Sequence, residues 1–290
     1  IYFQDERSSE DLEELEHELD IRYEPEGPLY NDLESNVSKF TDEGADQKKI
    51  PLYKVETNSH GARDESFSED NGEKRIVVLG DSFTFGWGVN RSDRYTEVAE
   101  REIENSNIEF MNLGIPGSGI IDYYLTLKHK GLELDPDVVI VGLRYQSVRS
   151  EKDVMQFREE ARTKFPVGVK NRNEKIQDYQ QEKVEDLMNR KIQNTSLPEY
   201  MEKMTILSDE YDFKMIYYLI ENNIQKDKVE GLEKLKAKHD FKLLLPPNDL
   251  KSADRESLII RKGDAHYNQK AHRLLGENLA KNLESEYIDN

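Results

Sequence analysis

Five short apolar runs separated by helical patterns restrict the fold of this chain more than any other feature. They are RIVVLG (75–80), IEFMNLG (108–114), DVVIVGL (137–143), FKMIYYLI (213–220) and FKLLLP (241–246). Apolar residues follow one another in each run instead of alternating with polar ones, which is typical of strands buried on both faces. Strands of this kind that alternate with helices form a parallel sheet with helices on both sides. The sequence therefore predicts an α/β fold with about five parallel strands.

The segments between and after these runs predict the covering helices, at 96–105, 120–131, 198–211 and 268–285. In the last segment an apolar residue recurs at every fourth position, at Ala271, Leu275, Leu279 and Leu283. This periodicity indicates one buried helix face.

A long polar stretch interrupts the pattern at about residues 150–197. It is prone to form helices but has too few apolar positions to belong to a core, so it predicts a solvated helical insertion. A lid over a functional site, or a surface that binds a partner protein, is the alternative interpretation.

Residues 1–72 differ in composition from the rest of the chain. SSEDLEELEHELD (8–20) predicts an acidic helix, and the turn-rich, charged sequence after it indicates an extended arm and linker, partly ordered at best. The predicted domains are thus an arm over 1–72 and a folded domain over 73–290. Residues 1–4, IYFQ, resemble the end of a protease-cleavage tag. If they are, a natural leader or membrane anchor could have been trimmed from the chain. The compartment is therefore left open, extracytoplasmic included.

Charge and cysteine content exclude several classes of function. The chain has 60 acidic and 41 basic residues and a net charge of −19, which repels nucleic acid. It has no cysteine, so disulfides, thiolate metal sites and cysteine nucleophiles are excluded. Its apolar runs are far shorter than the roughly 20 residues that span a bilayer, so no membrane span is expected. Protein partners could bind the acidic arm or the 150–197 helices.

Ser82 is a candidate nucleophile because it follows the first strand directly, at the sheet edge where parallel α/β folds place functional loops. A serine reacts only when a base removes its proton and a third group orients that base. Among the six histidines His266 fits best, since Asp264 precedes it by two residues in a loop before the last helix. An aspartate that caps a turn beside a surface histidine explains the same spacing, and both interpretations stay open on spacing alone.

Three separated blocks resemble the SGNH (GDSL-type) hydrolases: Gly80-Asp81-Ser82, Asn112-Leu113-Gly114-Ile115-Pro116-Gly117 and Asp264-Ala265-His266. The resemblance covers about residues 75–285 and implies a flavodoxin-like three-layer α/β/α sandwich. It implies Ser82 as nucleophile, His266 as general base and acid, and Asp264 as its orienting group, with no cofactor and no metal. Asp81 is expected to be structural and to accept backbone hydrogen bonds in the turn.

The family's oxyanion hole implies three donors: the backbone N–H of Ser82, the backbone N–H of Gly117 and an asparagine side chain from a further block. In this chain that block reads VIVGLRYQSV, with Gln146 where the asparagine would fall. Gln146 carries the same amide on one more methylene and is the predicted third donor. Arg144 and Tyr145 are alternatives, and a weakened site is another.

The expected function is hydrolysis of carboxylic esters, with short acyl groups on a carbohydrate or another polar small molecule as the favoured substrate. An O-acyltransferase, in which a sugar hydroxyl replaces water, would use the same site. A binding or scaffold domain without catalysis is a further alternative, and a flavin- or nucleotide-binding protein is disfavoured by the acidic surface. The aromatic residues after Ser82 could line an acyl pocket, but core packing is the favoured reading for Phe83, Phe85 and Trp87 individually.

Overall fold

A parallel sheet of five strands forms the centre of the computed structural model. The structure describes residues 21–22, 32–33, 35–41, 53–68, 72–103, 107–144, 164, 196–222, 226–262 and 264–284. The sheet contains β5 (Lys74–Gly80), β6 (Ile108–Asn112), β7 (Val138–Leu143), β8 (Lys214–Leu219) and β9 (Lys242–Leu244). Before it lie two small antiparallel pairs, which are β1 (Ile21–Arg22) with β2 (Asp32–Leu33) and β3 (Ser38–Thr41) with β4 (Tyr53–Glu56). All five strands of the central sheet coincide with the apolar runs of the sequence.

Seven α-helices accompany these strands in the described ranges. They are α1 (Ser82–Phe85), α2 (Tyr95–Glu102), α3 (Ile120–Thr126), α4 (Ser196–Tyr211), α5 (Lys226–Lys236), α6 (Asn248–Ser252) and α7 (Gln269–Leu283). The helix α3 continues as a π-helical turn and a 3₁₀ turn over Leu127–Gly131 and Leu132–Leu134, and further 3₁₀ turns lie at Arg91–Asp93 and Arg255–Ser257. Within the ranges that the structure describes, no helix is long and apolar enough to cross a membrane.

The two faces of the sheet carry separate cores. Side chains alternate between the faces along β5, so Ile76 and Val78 pack with α2 and α7. Val77 and Leu79 point to the other face and pack with residues of α3, α4 and α5. The apolar stripe predicted for the last helix is buried in the first of these cores. The three-layer α/β/α sandwich is therefore confirmed.

The strand order β6-β5-β7-β8-β9 is the flavodoxin-like order. The chain leaves β5 first toward one side of the sheet and later returns to its other side, so the order reverses between β5 and β7. Ligands of open α/β sheets bind outside the carboxyl ends of the strands at such a reversal. Gly80 of β5 and Gly142 of β7 are paired at this edge, and Ser82 follows two residues after Gly80. The fold thus places Ser82 where a ligand crevice is expected.

Part of the chain before residue 72 packs closely against the sandwich. Tyr53 and Val55 of β4 are buried with Phe85 and Ile115 in a third, smaller core, and Trp87 lies against it. The segment 53–68 also contributes a fully buried arginine, described below. The predicted helix over 8–20 lies outside the described residues, as does the predicted insertion except for Lys164 and the start of α4.

Candidate active site

The turn after β5 is fixed by hydrogen bonds to Asp81. Its carboxylate accepts the backbone N–H of Phe83 at 2.9 Å and caps α1, while its carbonyl accepts the N–H groups of Thr84 and Phe85. Asp81 therefore has the structural role expected from the sequence. Because Ser82 is the first residue of α1, its own N–H has no acceptor within the helix.

Ser82, His266 and Asp264 form one chain of hydrogen bonds. Ser82 Oγ lies 2.8 Å from His266 Nε2, and His266 Nδ1 lies 2.7 Å from Asp264 Oδ1. The same carboxylate oxygen accepts the backbone N–H of His266 at 2.9 Å, which fixes the loop. A carboxylate can only accept, so Nδ1 carries the proton and Nε2 accepts the hydrogen bond of the Ser82 hydroxyl. The structure thus brings together the three side chains that the sequence singled out.

Burial lowers the pKa of His266 below its ordinary value, and the hydrogen bond and charge of Asp264 oppose that shift. The nearby charges of Asp81 and Arg144 have smaller effects, which raise and lower this pKa respectively. The imidazole is therefore neutral at pH 7 and can accept a proton from Ser82.

Aromatic rings surround the imidazole. The centroids of Phe83 and Trp87 lie 5.1 and 5.8 Å from that of His266, and Tyr267 meets the Phe83 ring edge-on at 4.9 Å. Phe83 and Phe85 are buried, as the core interpretation predicted, whereas Trp87 is partly exposed. Trp87 is therefore the ring of this group that can contact both His266 and a bound molecule.

Arg144 follows β7 and lies beside the turn. The carbon of its guanidinium group is 3.8 Å from the centre of the Phe83 ring, and one terminal nitrogen lies 3.2 Å from Asp81 Oδ2. Its Nε is 3.9 Å from a carboxylate oxygen of Glu221. The guanidinium thus neutralises Asp81 in this structure, which disfavours it as an oxyanion donor. The other two candidates in that block, Tyr145 and Gln146, lie outside the described residues.

The loop after β6, which carries Gly117, packs directly against α1. The N–H of Ile115 donates to the Gly80 carbonyl at 3.0 Å. Gly114 approaches so closely that an added Cβ would lie 2.5 Å from the backbone nitrogen of Phe85. Gly117 itself has φ of +79°, which favours glycine. Its N–H remains a predicted oxyanion donor.

Arg63 and Asp64 form hydrogen bonds with the backbone around this site, although the sequence did not indicate them. Arg63 is 1% exposed and donates to carbonyls of the turn after Ser82, and Asp64 accepts the backbone N–H of Asn112 at 3.0 Å. Both lie in a polar, turn-rich stretch, where a charged residue is ordinarily solvated, so no local signal indicates their burial. Among the described residues, no group of three or more His, Asp and Glu side chains could hold a metal ion.

Solved structures share this fold. An esterase, EstA, from Pseudoalteromonas sp. matches with a TM-score of 0.51 and 12% identity, over 75% of this chain and 100% of its own. This chain therefore has the same fold as that esterase. An acetylxylan esterase from Geobacillus stearothermophilus matches with a TM-score of 0.47 and 12% identity, over 73% of this chain and 95% of its own. A GDSL-like lipase from Bacteroides thetaiotaomicron matches with a TM-score of 0.40 and 13% identity, over 76% of this chain and 92% of its own.

Neither a protein-family model nor a curated protein matches the sequence. The solved structures therefore confirm, at the level of the fold, the resemblance predicted from the three sequence blocks.

Proposed function

We propose that this protein is a serine hydrolase of the SGNH type that acts on carboxylic esters. The observation that carries the proposal is the continuous hydrogen-bond chain from Ser82 through His266 to Asp264, at the sheet edge where this fold binds ligands. A binding domain without catalysis would not require a serine hydroxyl, a neutral imidazole and a carboxylate in this geometry.

In the first half-reaction His266 Nε2 takes the proton of the Ser82 hydroxyl while Oγ attacks the ester carbonyl carbon. The imidazolium that forms is stabilised by the carboxylate of Asp264. When the tetrahedral intermediate collapses, the carbon–oxygen bond to the alcohol breaks, and the proton on Nε2 passes to the departing alkoxide. Ser82 is then acylated, and His266 is neutral again.

In the second half-reaction His266 accepts a proton from water, whose oxygen attacks the acyl carbon. Collapse breaks the bond to Ser82 Oγ, returns the proton to that oxygen and releases the carboxylic acid. If the hydroxyl of a sugar takes the place of water, the same steps transfer the acyl group, and the protein is an O-acyltransferase.

Three donors are proposed for the negative charge on the carbonyl oxygen: the N–H groups of Ser82 and Gly117, and the side-chain amide of Gln146. The position of Ser82 at the start of α1 supports the first, since its N–H is free of intrahelical bonds. The close packing of the Gly117 loop on α1 supports the second. Gln146 is proposed from its place in the sequence.

We propose a small or carbohydrate ester with a short acyl group as the substrate. The net charge of −19 disfavours polyanions such as nucleic acid. One partly exposed tryptophan beside His266 offers a flat apolar surface of the size of a sugar ring.

The proposal is tested by labelling the whole chain with a fluorophosphonate, which phosphonylates an activated serine, and locating the adduct by mass spectrometry. We expect the adduct on Ser82, its absence in Ser82→Ala, and slower labelling by at least about a hundredfold in His266→Ala. Ser257, exposed in a 3₁₀ turn, provides the matched control: Ser257→Ala should label like the wild type. A folded wild-type chain that stays unlabelled would favour the scaffold alternative instead.

A further inference from the structure

The guanidinium group of Arg63 is surrounded by backbone carbonyls. One terminal nitrogen donates to the carbonyls of Phe85 and Gly86 at 3.0 and 2.7 Å, and the other donates to those of Lys54 and Val89 at 2.9 and 2.8 Å. Its central carbon lies 5.0 Å from the ring centres of both Tyr53 and Phe85. Three of these four carbonyls belong to the end of α1 and the turn that follows it.

These carbonyls need a donor because α1 is only four residues long. The last carbonyls of a helix have no partner within it, and so short a helix is unstable without external contacts. Asn112, from β6, donates to the carbonyl of Thr84 at 2.8 Å. Arg63 donates to the next two carbonyls, of which that of Gly86 also accepts the N–H of Val89 at 3.3 Å. Asp81 thus holds the start of α1, and these two side chains hold its end.

Arg63 is itself held in place by the segment 53–68. The side chain of Asn58 accepts the N–H groups of His60 and Ala62, which fixes the loop that leads to Arg63. The carbonyl of Arg63 accepts a hydrogen bond from the buried side chain of Arg94. The segment is thus anchored on both sides of Arg63.

We infer that Arg63 is a positioning residue for the nucleophile: it fixes the turn at 85–89, and through it Ser82 and Trp87, in the reactive arrangement. This inference rests on the proposed function. It also makes the segment 53–68 part of the active-site support, although that segment precedes the first sequence block of the family.

The electrostatics of the site agree with such a role. Burial and the nearby charge of Arg94 lower the pKa of Arg63 to about 9, which still leaves it charged at neutral pH. Its direct partners are carbonyls, so replacing it removes a buried charge without leaving a bonded carboxylate unpaired. What a replacement loses is the set of donors to the turn.

The experiment compares Arg63→Gln with Arg75→Gln. Arg75 is a matched control, since it also donates to two backbone carbonyls, those of Leu134 and Ser68, and also tethers the segment that precedes β5. It does so at the amino end of β5, whereas Ser82 follows the carboxyl end. Both variants remove one guanidinium group, but only Arg63→Gln removes donors from the turn.

Two quantities are measured on each full-length variant at a temperature where it is folded: the rate of fluorophosphonate labelling at Ser82, and the near-UV circular dichroism of Trp87. Trp87 is the only tryptophan of the chain, so its signal reports the turn directly. We expect Arg63→Gln to lower the labelling rate by about ten- to a hundredfold and to alter the Trp87 signal, because small misplacements of reacting groups have effects of this size. Arg75→Gln should stay within about twofold of the wild-type rate.

Equal labelling rates and equal spectra for the two variants would overturn the inference. If Arg63→Gln does not fold, Arg63→Lys decides, since it keeps the charge but offers three donors from one point. A folded Arg63→Lys with the wild-type rate and spectrum would also overturn the inference. If the wild type is not labelled at all, the proposed function fails, and the Trp87 signal alone then decides whether Arg63 fixes the turn.

Discussion

His272 gives this protein a built-in sensitivity to acid that can be measured at equilibrium. The side chain is fully buried, its ring is stacked on that of Tyr95 at 6.2 Å, and its Nδ1 accepts the Tyr95 N–H at 3.3 Å. Burial, helped by the charges of Arg94 and Arg63, lowers its pKa from 6.5 to about 3. The folded state therefore binds fewer protons than the unfolded state below pH 6.5. Stability is present above that pH and is lost as the pH falls toward 3.

The loss can be worked out from the two pKa values. A pH of 5 lies 1.5 units below the ordinary pKa of 6.5, so His272 is protonated in the unfolded chain. In the folded protein it is still neutral at this pH. At about 1.4 kcal/mol per unit this is a loss of about 2 kcal/mol of unfolding free energy. The variant His272→Asn places an amide oxygen near the position of Nδ1 as acceptor for the Tyr95 N–H, and it does not titrate.

The difference between the two proteins must be measured, because other groups change the pH dependence of both. Burial raises the pKa of Glu100 to about 7, so its proton uptake stabilises the folded state as the pH falls. Burial lowers the pKa of His266, so this group, like His272, destabilises the folded state as the pH falls. Urea unfolding of the wild type and of His272→Asn, followed by Trp87 fluorescence at pH 7, 6 and 5, cancels these shared contributions. We expect the unfolding free energy of the wild type, relative to that of His272→Asn, to fall by about 2 kcal/mol between pH 7 and 5. If this difference stays constant, the conclusion that His272 is buried and neutral is refuted.

Two further predictions concern catalysis. Asp264→Asn should lower kcat of ester hydrolysis by up to about 10⁴-fold, because the imidazole loses its orienting carboxylate. Since Asp264 raises the pKa of His266, the acid limb of the pH–rate profile should move to lower pH in this variant, and a shift to higher pH would contradict the assignment. Gln146→Ala should lower kcat by about 10²–10³-fold with little change in KM if the amide donates to the oxyanion. An unchanged kcat would remove Gln146 from the site.

The sheet was predictable because its strands are buried on both faces, so their sequences are continuously apolar. The helices α2, α3, α4 and α7 were predictable from their amphipathic patterns, with ends that differ from the predicted ones by a few residues. The helix α5, KDKVEGLEKLK, has only three apolar side chains among its charged ones, and no helix was predicted there.

The three side chains that meet at the candidate site were predictable for a different reason. Ser82 and the Asp264–His266 pair each lie within a few residues of a regular element and inside sequence blocks that resemble a known family. Spacing alone left their roles open, and the resemblance singled them out. Arg63 and Asp64 have no such relation to an element. Their burial results from contacts with Gly86 and Asn112, which are distant in sequence. Composition alone places charged residues at the surface, and only the tertiary structure shows that these two are inside.

The turn that carries Ser82 is consequently held by hydrogen bonds from two separate parts of the chain. From within the sandwich, Asn112 bonds the Thr84 carbonyl, and the Thr84 hydroxyl bonds that of Tyr95 at 3.0 Å. From the segment before β5, Arg63 bonds the carbonyls that follow. A chain that began at β5 would keep every residue of the three sequence blocks but would lose the Arg63 donors to the carbonyls of Phe85 and Gly86. The physical unit that presents Ser82 therefore includes the segment 53–68, and a test of catalysis in this protein has to retain it.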